Sequence, residues 1–317
     1  MSRFEGFPHV TKAQQFSRSW IVEEFFPLTD QMEKVFKGGG GDQLRGKRMV
    51  SFFYDPSTRT RASFEFAMDY SGGRVVFSTE NAGEFSSAKK GESLQDTIAV
   101  LNRYRPDVIV LRYNKDLGSE LAAHVSRAAI INAGDREPGQ HPTQALLDLR
   151  TIFKRLGRVD DINIAMVGDL LNGRTVRSLC YLLSKFTDIK IRFVSPENAM
   201  MAHDIKHHLH KHDVSFDESN DLRFVAPDVD VIYQTRAQEE CGTEIDYDNH
   251  DLGYFKVDQE ICDLMPKTSI IMHPLPRNDE ISLEVDNNLR AVYLTDQIDS
   301  GLFTRMALLK MILAPDA

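Results

Sequence analysis

The chain has 317 residues, 42% of them apolar and 27% charged, which is room for two globular domains with separate cores. A formal net charge of −9 argues against broad electrostatic binding of nucleic acid, which needs a basic surface. No apolar run approaches the roughly 18 residues that would cross a bilayer, so a membrane is not expected as a partner either.

The N-terminal MSRFEGFPHVTKAQQF has no apolar core of a secretory signal, and the cytosol is the default location. The glycines Gly38 to Gly41 read as a loop before the first strand. Strands are predicted at RMVSFFY (48–54), GRVVFST (73–79), DVIVLRY (107–113) and AAIINAG (128–134), with helices between them. HPTQALLDLRTIFKRLG (141–157) is a helical pattern ending in a stop glycine. The alternation then restarts with strands at INIAMVGD (162–169), IKIRFVSP (189–196), VDVIYQTR (229–236) and SIIMHPLP (269–276), and GLFTRMALLKMIL (301–313) closes the chain as an amphipathic helix. This is an α/β pattern of two domains, each a parallel sheet flanked by helices, joined through helix 141–157. Cys180, Cys241 and Cys262 are widely spaced and odd in number, and read as structural thiols.

Ligands of open α/β sheets bind beyond the carboxyl ends of strands, where helix N-termini offer free amides to anions. The stretch FYDPSTRTRASFEF has that form: a strand, a turn at Asp55-Pro56, then Ser57 where an N-cap belongs. The hydroxyls of Ser57, Thr58 and Thr60, the backbone amides and the Arg59 guanidinium would converge on a small anion such as phosphate. Other strand ends carry Ser86 and Lys90 in SSAKKGESLQDT, Arg112 in VLRYN, and Gln140, His141, Thr143 and Gln144 in GQHPTQ. In the second half stand Arg174 in GDLLNGRTVRS, Arg236 and Gln238 in YQTRAQ, and His273, Leu275 and Arg277 in HPLPR. So many cations at strand ends of an acidic chain imply a poly-anionic set of ligands.

FYDPSTRTRASFE, SSAKKGESLQDT, INAG through HPTQALLDL, MVGDLLNGRTVRSL, YQTRAQ, HPLPRNDEI and GLFTRMALL occur in order along the chain. On these motifs the sequence resembles the aspartate carbamoyltransferase catalytic chains of the aspartate/ornithine carbamoyltransferase superfamily, over nearly its whole length. The resemblance implies the carbamoyltransferase fold: a carbamoyl-phosphate-binding domain over about 1–148, an aspartate-binding domain over 149–300, and a last helix, about 301–317, packing back on the first. It also implies a homotrimer with shared active sites, in which Ser86 and Lys90 reach into the neighbouring subunit, and a place in de novo pyrimidine synthesis.

The same resemblance assigns roles. Ser57, Thr58, Arg59 and Thr60 would hold the phosphate with help from Arg112, and Thr60, Arg112 and His141 would stabilise the oxyanion. Gln144 would read the carbamoyl NH2, and Lys90 would bridge phosphate and aspartate. Arg174 and Arg236, assisted by Gln238, would clamp the aspartate carboxylates, and the backbone around Pro274 and Leu275 would accept from its amine. Carbamoyl phosphate is already activated, so neither cofactor nor metal is called for.

Ornithine carbamoyltransferases share the STRTR and HPxQ elements, but carry Cys in HCLP and a Ser-Met-Gly segment; here Leu275 stands in HPLP and no Ser-Met-Gly occurs. A nucleotide site at VGDLLNGR lacks GxGxxG spacing. A catalytically silent paralogue serving as a scaffold is the reading from another class, and filled site positions count against it. The acidic stretch 239–260 is longer than the family's corresponding loop, and TDQID before Ser300-Gly301 adds one residue. Catalytic trimers of the family act alone or with separate regulatory chains, and no motif here marks such a contact. HDIKHHLHKH (203–212) pairs histidines at i, i+4, a spacing that binds metal but fits an exposed helix better.

Overall fold

The computed structural model describes residues 9–115, 117–136, 139–247 and 253–315. The N-terminal residues read above for a leader lie partly outside that range, as do residues 248–252 of the acidic stretch. The chain divides into two compact units, Met1–Thr143 with Ser300–Ala317, and Gln144–Asp299.

In the first unit α1 (Phe26–Lys37) is followed by β1 (Arg48–Phe53), α2 (Thr58–Tyr70), β2 (Arg74–Thr79), α3 (Ala82–Phe85), α4 (Leu94–Tyr104), β3 (Val108–Arg112), α5 (Gly118–Val125) and β4 (Ala129–Asn132). The four strands pair in parallel in the order β2-β1-β3-β4. Every residue of β3 and β4 is buried, as expected of strands covered on both faces. Val50 and Phe52 of β1, Ile109 and Leu111 of β3, and Ile130 of β4 form one core with Leu94, Ile98 and Leu101 of α4. The C-terminal segment joins this unit: Phe303 packs its ring 5.5 Å from that of Phe36, and the Arg305 guanidinium lies 5.2 Å over Phe64.

The chain enters the second unit in the first turn of α6 (Pro142–Leu156). There follow β5 (Asn163–Val167), α7 (Arg174–Leu183), β6 (Lys190–Val194), α8 (His203–Lys211), β7 (Ser215–Ser219), α9 (Leu222–Val225), β8 (Val231–Gln234), α10 (Gln259–Leu264), β9 (Ile270–Met272) and α11 (Asp296–Leu313). The sheet is again parallel, ordered β7-β6-β5-β8-β9. Its core joins Ala165, Val167, Val194 and Ile232 to Phe255, Ile261 and Tyr293.

Two elements differ from the sequence-based expectation. Strand β7, SFDES, was not foreseen, because as an edge strand paired only with β6 it is half exposed and carries one large apolar residue. Helix α11 starts at Asp296 rather than 301, its first turn being polar. Among the described residues no helix is long and apolar enough to cross a membrane. Cys180 and Cys262 are buried, as structural thiols should be, whereas Cys241 is exposed because the loop after β8 places it on the surface.

Candidate active site

Each sheet has one place where the strand order reverses direction, and it is there that a crevice opens between the outgoing loops. In the first unit the reversal lies between β1 and β3, where Phe53 pairs in register with Arg112. The chain leaving β1 makes the DPST turn, and Ser57 occupies the N-cap of α2. Its hydroxyl caps nothing, so the first amides of α2 are left to other acceptors. The Ser57 N–H itself donates to Glu80 Oε1 at 2.5 Å, and Glu80 Oε2 meets Arg61 at 3.2 Å. This ties the phosphate-type turn to the segment after β2. Thr58 and Arg59 are exposed on the first turn, and Thr60 is buried.

Arg112 ends β3 almost fully buried. Its Nε donates to the Ala133 carbonyl at 3.0 Å, and Nη1 lies 3.4 Å from the Pro56 carbonyl. His141, also buried, stands between two hydroxyls: Thr60 Oγ1 lies 3.4 Å from Nε2, and Thr143 Oγ1 3.4 Å from Nδ1. Gly134 makes the convergence possible. Its φ of +108° suits glycine, and a Cβ there would come within 3.0 Å of His141 Cδ2 and 3.1 Å of Arg112 Nη2. Thr60, Arg112 and His141, chosen from separate motifs, therefore meet at one point, beside an uncapped helix N-terminus that favours an anion.

In the second unit the reversal lies between β5 and β8, where Val167 pairs with Gln234. Arg174 opens α7 after the β5 turn, and Arg236 follows β8, donating from Nη1 to the Ala237 carbonyl at 2.8 Å. The buried Asp169 carboxylate binds the two loops together, accepting from Asn172 N (3.0 Å), Asn172 Nδ2 (3.1 Å) and Gln238 N (3.1 Å). Tyr247, in the acidic stretch, accepts from the Ala237 N–H at 3.1 Å. Burial, with Glu280 and Asp169 nearby, raises its hydroxyl pKa well above the ordinary value, so it stays protonated.

Beyond β9, Pro274 leads to Leu275, whose backbone sits at φ +56° and whose N–H donates to His273 Nδ1 at 2.7 Å. His273 Nε2 faces Glu280 Oε1 at 2.8 Å in full burial. Burial acts against ionisation of Glu280, but hydrogen bonds from His273 and the Asn278 amide outweigh it and hold the carboxyl below its ordinary pKa. Arg277, singled out with this motif, is instead engaged by Asp286 and by Tyr293 Oη at 2.9 Å.

Ser86 and Lys90 lie on the segment between α3 and α4. The Ser86 hydroxyl donates to the Ala82 carbonyl at 2.5 Å and accepts from Ala88 N at 3.1 Å, while Lys90 is exposed. Gln144, on α6, gives its Nε2 to Asp148 at 3.0 Å. Glu80, Asp148, Asp169 and Gln297 were not singled out from the sequence, although Asp148 and Asp169 stand inside HPTQALLDL and MVGDLLNGRTVRSL and Gln297 inside TDQID, which was the available hint. The histidine run forms α8, where Ser184 Oγ lies 2.9 Å from His208 Nε2. Among the described residues no group of three or more His, Cys, Asp or Glu could hold a metal ion.

Two family profiles match the chain: the carbamoyl-P binding domain of aspartate/ornithine carbamoyltransferase over residues 8–154, and its Asp/Orn binding domain over 160–312. The chain belongs to the aspartate/ornithine carbamoyltransferase family. Within it, the chloroplastic aspartate carbamoyltransferase of Arabidopsis thaliana is 49% identical over 306 residues, covering 96% of this chain and 77% of that protein. The catalytic subunit of M. jannaschii aspartate transcarbamoylase superposes with a TM-score of 0.87 at 40% identity, over 98% and 99% of the two chains. The Trypanosoma cruzi enzyme solved with carbamoyl phosphate and aspartate gives 0.87 at 38% identity, over 96% and 95%.

Proposed function

We propose that this chain transfers the carbamoyl group of carbamoyl phosphate to the amine of L-aspartate, giving N-carbamoyl-L-aspartate and phosphate for pyrimidine synthesis. The observation that carries the reading is the pair of switch points: Arg112 stands in register with the end of β1, and the loops carrying Arg174 and Arg236 leave paired strand ends. Each unit thus offers cations where its sheet best binds an anion.

In this mechanism Ser57, Thr58, Arg59 and the first amides of α2 hold the phosphate. Arg174 and Arg236, with Gln238, take the two carboxylates of aspartate; arginine suits a planar carboxylate because its paired N–H groups match both oxygens. The aspartate nitrogen attacks the carbonyl carbon, and the carbonyl π pair moves to oxygen. Thr60, Arg112 and His141 donate to that oxyanion, each good donor contributing about 3–4 kcal/mol. As the oxyanion collapses, the C–O bond to phosphate breaks and a phosphate oxygen takes the amine proton. Arg59 neutralises the leaving dianion. His141 serves as an electrophile, and no covalent nucleophile is required.

The exposed Lys90, with Phe85 beside it 82% exposed, supports a homotrimer in which this loop completes a neighbour's site. The cytosol is the proposed compartment; the chloroplastic names of the plant relatives favour a plastid as the second reading, and imaging a tagged full-length chain separates the two. The reaction is tested by phosphate release from carbamoyl phosphate with L-aspartate, L-ornithine or no acceptor. Aspartate-dependent release, abolished in Arg59→Ala with the fold intact, is expected. Release with ornithine alone, or normal turnover by Arg59→Ala, would overturn the assignment.

A further inference from the structure

The interior of the second unit holds a carboxylate that the mechanism above leaves unused. Asp148, one turn along α6 from Gln144, is fully buried. It accepts from Gln144 Nε2 at 3.0 Å, Gln297 Nε2 at 2.8 Å and the Tyr233 hydroxyl at 2.7 Å. Burying a carboxylate is costly even when it is bonded this fully, and an apolar residue would fill the space more cheaply. What a carboxylate supplies that an apolar residue cannot is direction.

An ionised carboxylate only accepts, so each amide beside it must turn its NH2 inward. Gln144 is thereby left with Oε1 as its acceptor end. Gln297 is oriented by the same rule, and its Oε1 accepts the His273 backbone N–H at 3.0 Å. His273 in turn accepts the Leu275 N–H at Nδ1, leaving Nε2 to donate to Glu280. Asp148 thus fixes Gln297, Gln297 anchors the His273 backbone, and the His273 ring holds the Leu275 amide.

We propose that Asp148 is a positioning residue for carbamoyl transfer: it turns the Gln144 carbonyl toward the carbamoyl NH2, and through Gln297 it holds the His273–Leu275 segment that receives the aspartate amine. This rests on the reaction proposed above. It also gives the TDQID segment a physical purpose, since it delivers Gln297 into the network.

The test uses the full chain and the variants Asp148→Asn, Gln144→Ala, their double, and Gln297→Met. Asparagine can present either NH2 or C=O, so the polarity is lost while the shape is kept. Asp148→Asn should lower kcat about 10- to 100-fold, the scale of a misplaced group, with the Kd for inorganic phosphate within about 2-fold of wild type. The double variant should lose less than the product of the single losses, because both act through one amide. Gln297→Met should raise the aspartate KM about 5- to 10-fold and leave that for carbamoyl phosphate unchanged, on the scale of one lost buried hydrogen bond.

An active wild type with multiplicative losses, or an Asp148→Asn variant with normal kcat, would overturn the positioning role alone. A wild type inactive with aspartate would overturn the reaction and this role together. Should Asp148→Asn not fold, Gln297→Met decides: an unchanged aspartate KM refutes the relay.

Discussion

Gly134→Ala would probe the convergence of Arg112 and His141 without touching either side chain. Two costs can be separated. A non-glycine residue at φ +108° is strained by about 1–3 kcal/mol, which should lower the Tm of this unit by about 2–4 °C per kcal/mol. The new Cβ would also stand 3.0 Å from His141 Cδ2 and 3.1 Å from Arg112 Nη2, against 3.4–4 Å for ordinary contact, so both donors must retreat by several tenths of an ångström. Displacement by about 1 Å costs roughly 100-fold in rate, and a smaller shift of two oxyanion donors at once should lower kcat about 10- to 100-fold. Gly46→Ala is the control: its φ is +82°, with no atom within 4 Å of the added Cβ, so it carries the strain without the intrusion. Aspartate-dependent phosphate release and thermal unfolding would be measured on both. If Gly134→Ala keeps normal kcat, or loses no more than Gly46→Ala, the three donors do not act on a common atom.

Two further outcomes follow from the second unit. Arg236→Ala should raise the aspartate KM by about 100-fold or more with phosphate affinity unchanged, and Arg236→Lys should recover only part of it, since a point charge cannot match both carboxylate oxygens; equal activity of the lysine variant would refute the bidentate clamp. His208 is pushed down to about 4 by burial first, then by the charges of His212, Lys185 and Lys211. Its folded pKa lies below the unfolded one, so the contribution is present above about pH 6.5 and is lost as the pH falls toward 4. With its ring half in solvent, the loss should be about 1 kcal/mol. His208→Gln should flatten stability across that window; an unaltered pH profile would show that the ring titrates freely.

Much of the architecture was legible because parallel strands covered on both faces read as apolar runs, and those of 48–54, 107–113, 162–169 and 229–236 could hardly be anything else. Strand β7 was hidden because an edge strand of Ser, Phe, Asp, Glu and Ser has no face that must be apolar. Arg112, Arg174 and Arg236 were visible as cations at strand ends in an acidic chain. Arg277 looked the same and is bound instead by Asp286 and Tyr293, which only their approach in space could reveal.

The succession of the buried strands along the chain, the turn before Ser57 and the family itself are legible in local pattern: periodicity, turn chemistry and motif spacing are properties of short segments, readable without coordinates. Partnership is not. Glu80 meets Ser57 across 23 positions, Thr60 meets His141 across 81, and Gln297 meets Asp148 across 149. A carboxylate's role depends on which donors surround it and whether water does. Folding alone decides that, by taking Asp148 out of solvent and bringing to it the side chains that give its charge a direction.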